Sequence, residues 1–242
     1  MNRQKEIAAN LREVRARIAR AEAIAGRAAG SARLVAVSKT VAAPDILAAL
    51  AAGQQDFGES YGQEFRDKRA EVEAGAEAAG LPQPRWHFIG PLQTNKVKYV
   101  AGKVALIHSI EGDDVLAEIE RRVATIQPLA QWDCLIQVNV AGEVQKHGVT
   151  PATLAAQLDS FTRMPHLRCI GLMVMPPYND DPEQSRPHFA ALRRLRDQEA
   201  TISRPNVQLA ELSMGMSHDL DVAVAEGATL VRVGTAIFGA RQ

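Results

Sequence analysis

Leu34-Val35-Ala36-Val37-Ser38-Lys39-Thr40-Val41-Ala42-Ala43-Pro44-Asp45 reads as a strand, a loop and the start of a helix. The run 34–37 is short, apolar and rich in valine, which suits a buried strand. Pro44-Asp45 opens a helical pattern, because proline lacks an N–H that the first turn leaves unpaired anyway and a carboxylate complements the positive end of the helix dipole. Lys39 therefore lies where a strand stops and its loop begins. The same succession recurs along the chain. Apolar runs at 34–37, 56–58, 86–89, 105–109, 134–140, 169–175, 209–213 and 230–233 alternate with helical patterns at 44–52, 61–76, 94–100, 113–126, 151–163, 187–200 and 219–226. Strands that alternate with helices imply a parallel sheet. Eight of them in 242 residues fit one closed (β/α)8 barrel of TIM type, with an open doubly wound sheet as the alternative. Ahead of the first strand, Ile7, Leu11, Val14 and Ile18 recur at helical spacing. They predict an amphipathic helix that ends near Gly30 and covers the outside or one end of the core. The chain is thus read as a single domain, with an N-terminal helix over 1–30 and a barrel over 31–242.

Composition narrows the partners. Lys plus Arg equals Asp plus Glu at 28 each, so no global field favours nucleic acid or an anionic membrane. Cys134 and Cys169 both lie in apolar runs and read as buried, reduced thiols. No cysteines and histidines have zinc-like spacing, so no metal is expected. No apolar run approaches the ~18 residues of a membrane span. The N-terminus carries Arg3, Lys5 and Glu6 without the apolar core of a signal peptide. A cytoplasmic protein is expected.

Polar and glycine residues gather where the strands end, which in a barrel of this kind is the rim that builds the site. Lys39 follows the first strand and Gly58-Glu59-Ser60-Tyr61 the second. His87-Phe88-Ile89-Gly90-Pro91-Leu92-Gln93-Thr94-Asn95-Lys96 follows the third, and Asn139, then Lys146-His147-Gly148, the fifth. Ser213-Met214-Gly215-Met216-Ser217 follows the seventh, and Gly234-Thr235 the eighth. Small residues and hydroxyls after strands seven and eight suit an anion, since backbone N–H groups approach it closely. A lysine across the same rim, partly desolvated, is an amine nucleophile toward an aldehyde. Lysine and phosphate cradle together suit either a sugar-phosphate aldolase or pyridoxal 5′-phosphate (PLP) held as an internal aldimine. Arg232, inside the eighth strand, favours PLP: a guanidinium donates to the ring nitrogen and keeps it unprotonated. The loop Pro176-Pro177-Tyr178-Asn179-Asp180-Asp181-Pro182 follows the sixth strand as a lid or a plain surface connection.

These residues resemble a known family. Ala36-Val37-Ser38-Lys39-Thr40, Phe57-Gly58-Glu59-Ser60-Tyr61, Trp86-His87-Phe88-Ile89-Gly90-Pro91-Leu92-Gln93, Gly171-Leu172-Met173, Leu212-Ser213-Met214-Gly215-Met216-Ser217 and Val231-Arg232-Val233-Gly234-Thr235-Ala236 together are similar to the pyridoxal phosphate homeostasis proteins. The resemblance runs from about residue 8 to Arg241. It implies a barrel of the alanine-racemase N-terminal-domain type (PLP fold type III) with PLP as the cofactor, bound to Lys39 as a Schiff base. It further implies cofactor contacts from Ser60, Asn139, Ser213, Met214, Gly215, Ser217, Arg232, Gly234 and Thr235. Where the family usually has asparagine, this chain has Ser60, whose shorter side chain suits a water-mediated contact with the ring. His218 stands at a position usually acidic, followed by Asp219, read as helix N-terminal charge. Lys146 matches a further family lysine, a candidate modulator of cofactor release or a solvated loop residue.

Two functions follow. The first is intracellular PLP homeostasis or carriage, bearing on amino-acid and keto-acid balance, without robust catalysis. The alternative is an amino-acid racemase or decarboxylase of the same barrel type. Two-base racemisation needs an acid/base group on each face of the substrate carbon. In racemases of this fold the second group is a tyrosine of an additional domain, for which the chain, ending at Gln242, leaves no room. None of Tyr61, Tyr99 and Tyr178 has an obvious claim to that role, so carriage is favoured, with PLP, apo PLP-dependent enzymes as transient partners, and a monomeric state. A cofactor-free aldolase would need acid/base partners for Lys39.

Overall fold

The structure, a computed structural model, describes residues 2–143 and 147–240. Eight parallel strands close into a barrel in sequence order: β1 (Arg33–Val37), β2 (Asp56–Glu59), β3 (Arg85–Phe88), β4 (Leu106–Ile110), β5 (Trp132–Gln137), β6 (Leu167–Met173), β7 (Val207–Ser213) and β8 (Leu230–Val233). The helices α2 (Ala43–Ala51), α3 (Gly62–Ala78), α4 (Val97–Val100), α5 (Asp113–Ile126), α6 (Leu154–Phe161), α7 (Arg186–Glu199) and α8 (Leu220–Ala225) fill the connections. Short 3-10 turns lead into α4, α6 and α7. The closed barrel, not the open sheet, is the architecture, and β8 returns to β1 with Val35 opposite Arg232 and Ala36 opposite Val233.

Alternation along the strands divides the barrel into two packing layers. Leu34, Ala36, Phe57, Trp86, Phe88, Ile107, Val231 and Val233 join the main core between sheet and helices. Val35, Leu106, Leu135, Met173 and Leu230 form a second cluster in the interior. The same alternation turns His87, His108, Ser213 and Arg232 inward, and all four are buried. The interior therefore holds an apolar cluster and a polar one, with β4 and β8 contributing to both.

The N-terminal helix α1 (Arg3–Ile24) ends six residues earlier than its pattern suggests, and Gly26 and Gly30, both at positive φ, turn the chain into β1. Glu22 fixes that turn: it is buried and accepts the N–H groups of Gly30 (3.0 Å) and Ala32 (2.7 Å). Ile7, Leu11, Val14 and Ile18 are buried against α2, α8 and a short closing helix, α9 (Thr235–Phe238), so α1 covers the outer flank where the barrel closes. Full burial of such a side chain contributes about 1.5–3 kcal/mol, which makes α1 part of the fold. Cys134 and Cys169 sit opposite each other on β5 and β6 as free, buried thiols, and burial pushes that of Cys169 up to about 12. No helix among the described residues is long and apolar enough to cross a membrane, and no group of His, Cys, Asp and Glu among them is arranged to hold a metal.

Candidate functional site

Lys39 leaves the end of β1 between two pinned neighbours. The buried Ser38 donates its N–H to Gly58 O (2.9 Å) and its hydroxyl to Glu59 Oε1 (2.7 Å), while its carbonyl accepts from Lys68 Nζ (2.7 Å). On the other side Thr40 donates its N–H to Glu64 Oε1 (2.6 Å). Thr40 has φ +62°, left-handed backbone that costs a residue with a Cβ roughly 1–2 kcal/mol. Lys68 on α3 joins the two carboxylates, at 3.0 Å from Glu59 and 2.5 Å from Glu64. Burial pushes the Glu59 carboxyl up, against the pull of Lys68 and the Ser38 hydroxyl. This clamp holds the backbone on both sides of Lys39 in a turn it would not otherwise favour.

Lys39 and Thr40 line a cavity of about 510 Å³ together with Gly234 and Thr235. A Cβ on Gly234 would stand 3.2 Å from both the carbonyl oxygen and the Cβ of Val37, so glycine lets the end of β8 lie close against β1. Thr235 opens α9, whose first N–H groups have no intrahelical acceptor. Helix α1 holds this corner from outside: Arg3 donates to Phe238 O (2.7 Å) and pairs with Asp45 (2.8 Å), and Asn10 donates to Ile237 O (2.9 Å).

The segment after β7 is held just as tightly. Gly215 has φ +91°, and a Cβ there would meet that of Ala223 at 2.4 Å. Asp219 stands at the start of α8, the helix N-terminal charge that the sequence suggests. It is buried, and its carboxylate turns back to accept Met216 N–H (2.7 Å) and the Ser185 hydroxyl (3.0 Å). Arg17 of α1 donates to Ser217 O (2.6 Å) and His218 O (3.2 Å) and pairs with Asp221. His218 is exposed and rests against the Tyr178 ring. The Met214 side chain belongs to the core, so this residue offers the rim only its backbone.

Arg232 is 3% exposed. Its guanidinium donates to Ser213 Oγ (2.5 Å) and Val174 O (2.9 Å). Burial pulls it down to about 10, with Asp219 opposing, so it stays charged at neutral pH. Ser213 leads into a chain of buried polar groups. Its Oγ is 2.8 Å from His108 Nδ1, His108 Nε2 is 2.9 Å from His87 Nδ1, and His87 Nε2 is 3.0 Å from Asp56 Oδ1. Arg85 closes the chain by a two-pronged contact with Asp56 at 2.8 and 2.7 Å. Burial raises the Asp56 carboxyl, but hydrogen bonds from His87 and Arg85 outweigh it and hold the group at about 2. Burial, with His87 and Arg232 nearby, pushes His108 well below the usual imidazole range.

Of the residues expected at the site, Lys39, Gly234 and Thr235 share one cavity, and Ser213 and Arg232 are hydrogen-bonded. Ser60, Met214, Gly215, Ser217 and Asn139 stand on the same rim without lining that cavity. Ser60 is buried where the backbone of Gly90 crosses it: a Cβ at Gly90 would lie 2.2 Å from Ser60 O. Asn139, half-buried after β5, donates to Glu143 O (2.8 Å). Lys146 lies outside the described residues. The sequence alone points to no role for the Glu59–Lys68–Glu64 clamp or the two histidines. The signal available was position: His87 and His108 fall on the inward phase of β3 and β4.

The chain matches the family described as alanine racemase, N-terminal domain, over residues 5–242. A pyridoxal phosphate homeostasis protein of Aquifex aeolicus is 45% identical over 96% of this chain and 97% of its own. The chain belongs to the pyridoxal phosphate homeostasis protein family. A relative of the same name from Pseudomonas aeruginosa is 43% identical over 98% of this chain and 96% of its own. Among solved structures, that of PipY of Synechococcus elongatus PCC7942 with PLP bound is similar with a TM-score of 0.81 at 33% identity, covering 96% of this chain and all of that one. Alanine racemase of Corynebacterium glutamicum, at 16% identity and a TM-score of 0.62, shares the fold; the match covers 97% of this chain and 60% of the racemase. The fold and family expected from the motifs are thus those found.

Proposed function

We propose that the protein binds PLP through Lys39 and serves its intracellular homeostasis or carriage rather than robust catalysis. The observation that carries this reading is the shared cavity of Lys39, Gly234 and Thr235, with the backbone on both sides of Lys39 clamped. Family membership and the PLP in the PipY structure support the choice of cofactor. PLP, when bound, supplies an aldehyde that condenses with a primary amine and a phosphate that anchors it.

The residues present fit such a group. Lys39 offers the amine. Gly234 and Thr235, with Gly215 and Ser217, offer small-residue backbone and hydroxyl donors for the phosphate. Arg232 offers a guanidinium that only donates, so a ring nitrogen against it stays unprotonated and the ring is a poor electron sink. That is the chemical ground for carriage over catalysis. Ser213 acts through Arg232, since its hydroxyl is engaged inside the barrel, and Met214 contributes main chain. Ser60 and Asn139 are assigned to the remaining ring contacts, Ser60 through water. A monomer in the cytoplasm that exchanges PLP with apo-enzymes completes the proposal, and the two buried thiols agree with a reducing compartment.

The test is an absorbance spectrum of the purified chain, native and Lys39→Ala, before and after addition of PLP. A visible band present in the native protein and missing from the variant is expected. A native protein that stays colourless with PLP would overturn the assignment.

A further inference from the structure

The hydrogen-bond chain from Asp56 to Arg232 has a direction. An ionised Asp56 carboxylate only accepts, so His87 Nε2 must carry a proton toward it. Arg232 also only donates, so the Ser213 hydroxyl proton finds its acceptor in His108 Nδ1, His108 carries its ring proton on Nε2, and His87 Nδ1 is the bare acceptor between the rings. Ser213 Oγ is then left with lone pairs only, which receive the Arg232 guanidinium. Every link is then satisfied once, at 3.0, 2.9, 2.8 and 2.5 Å. Reversing one link reverses all: a His108 that donated through Nδ1 would leave the Ser213 proton without its partner and turn His87 Nδ1 into the donor.

We infer that Asp56, His87, His108 and Ser213 are positioning residues that act as one directional relay, fixing Ser213 as a pure acceptor and thereby the aim of the Arg232 guanidinium at the ligand. Three observations carry this. All members from His87 to Arg232 are at most 4% exposed, so water does not substitute for a missing link. The relay runs along the barrel interior from β2 through β3 and β4 to β7 and β8, so no single strand holds Arg232 in place. The other charged groups around it are themselves paired or shared: Arg85 with Asp56, Arg33 with Glu211, and Asp219 with the backbone of Met216 and the Ser185 hydroxyl. The role of Arg232 toward a ring nitrogen rests on the assignment of PLP; the relay itself does not.

Nitrogen-15 NMR of histidine-labelled, PLP-free protein reads the tautomers directly. Both buried rings are expected to carry their proton on Nε2, with Nδ1 bare. In Asp56→Ala, two links away from His108, both rings should lose that fixed tautomer together. PLP affinity, measured by fluorescence titration, should then weaken about tenfold, the scale of a misaligned hydrogen bond to a charged group. Ser213→Ala should weaken PLP similarly, and Ser213→Thr, which keeps the hydroxyl, should restore it; this pair serves if Asp56→Ala does not fold. Native rings protonated on Nδ1, a His108 that ignores the loss of Asp56, or variants that bind PLP within about twofold of native would each overturn the relay. Expected tautomers in a native protein that fails to bind PLP would instead retain the relay and remove the cofactor.

Discussion

Replacing Asp56 with alanine removes the carboxylate that Arg85 grips at 2.8 and 2.7 Å and His87 reaches at 3.0 Å. In the folded protein burial pushes this carboxyl up while His87 and Arg85 pull it further down, to about 2 from 3.8. A carboxylate held below its unfolded value adds stability that is fully present above that value and is lost as pH falls through the folded one. At about 1.4 kcal/mol per unit, and discounted for solvent screening of a carboxylate that is not fully enclosed, the shift corresponds to roughly 2 kcal/mol at neutral pH. For a chain of this size that lowers the melting temperature by roughly 4–8 °C. Reversible urea or thermal unfolding of native protein and Asp56→Ala at pH 7, and then stepwise from pH 4 toward pH 2, checks both size and sign. The gap should be full at pH 7 and close over the acid window. A gap that stays constant down to about pH 2 would refute the reasoning, because the loss would then be one of packing and not of a paired charge.

Three further outcomes follow from the same geometry. Lys68→Met leaves Glu59 buried without its cation and should cost about 3 kcal/mol, most of it recovered in Glu59→Gln/Lys68→Met; chemical denaturation of the cycle measures it. Gly90→Ala drives a Cβ to 2.2 Å from Ser60 O and should destabilise by about 3 kcal/mol through overpacking between the ends of β2 and β3, readable by thermal unfolding. Arg232→Gln should weaken PLP at least about tenfold in a fluorescence titration, with binding within twofold counting against the assigned contact.

The barrel was legible because its strands are short apolar runs between clear helical patterns, and the observed strands fall within a few residues of those runs. The rim was legible for the same reason: in a parallel barrel every strand end comes to one face, so Lys39 and Gly234-Thr235 had to approach each other. What sequence periodicity does not carry is register. That His87 of β3 meets Asp56 of β2 and His108 of β4 depends on which residues lie side by side, Gly58 opposite His87 and His87 opposite Leu106. The Asp219 side chain shows the same limit: it stands where a helix begins, yet its carboxylate serves the preceding turn and Ser185 on another connection. The α1 helix ends at Ile24 and not Gly30: Gly26 turns the chain at positive φ, and the Glu22 carboxylate accepts the N–H groups of Gly30 and Ala32, a capture that spacing alone does not reveal.

The most direct measurement is borohydride reduction of the PLP-treated protein followed by peptide mass mapping. Reduction fixes the cofactor to whichever amine holds it. Binding through Lys39 predicts a single stoichiometric adduct on that residue, absent from Lys39→Ala. An adduct on another lysine, or none at all, would contradict it.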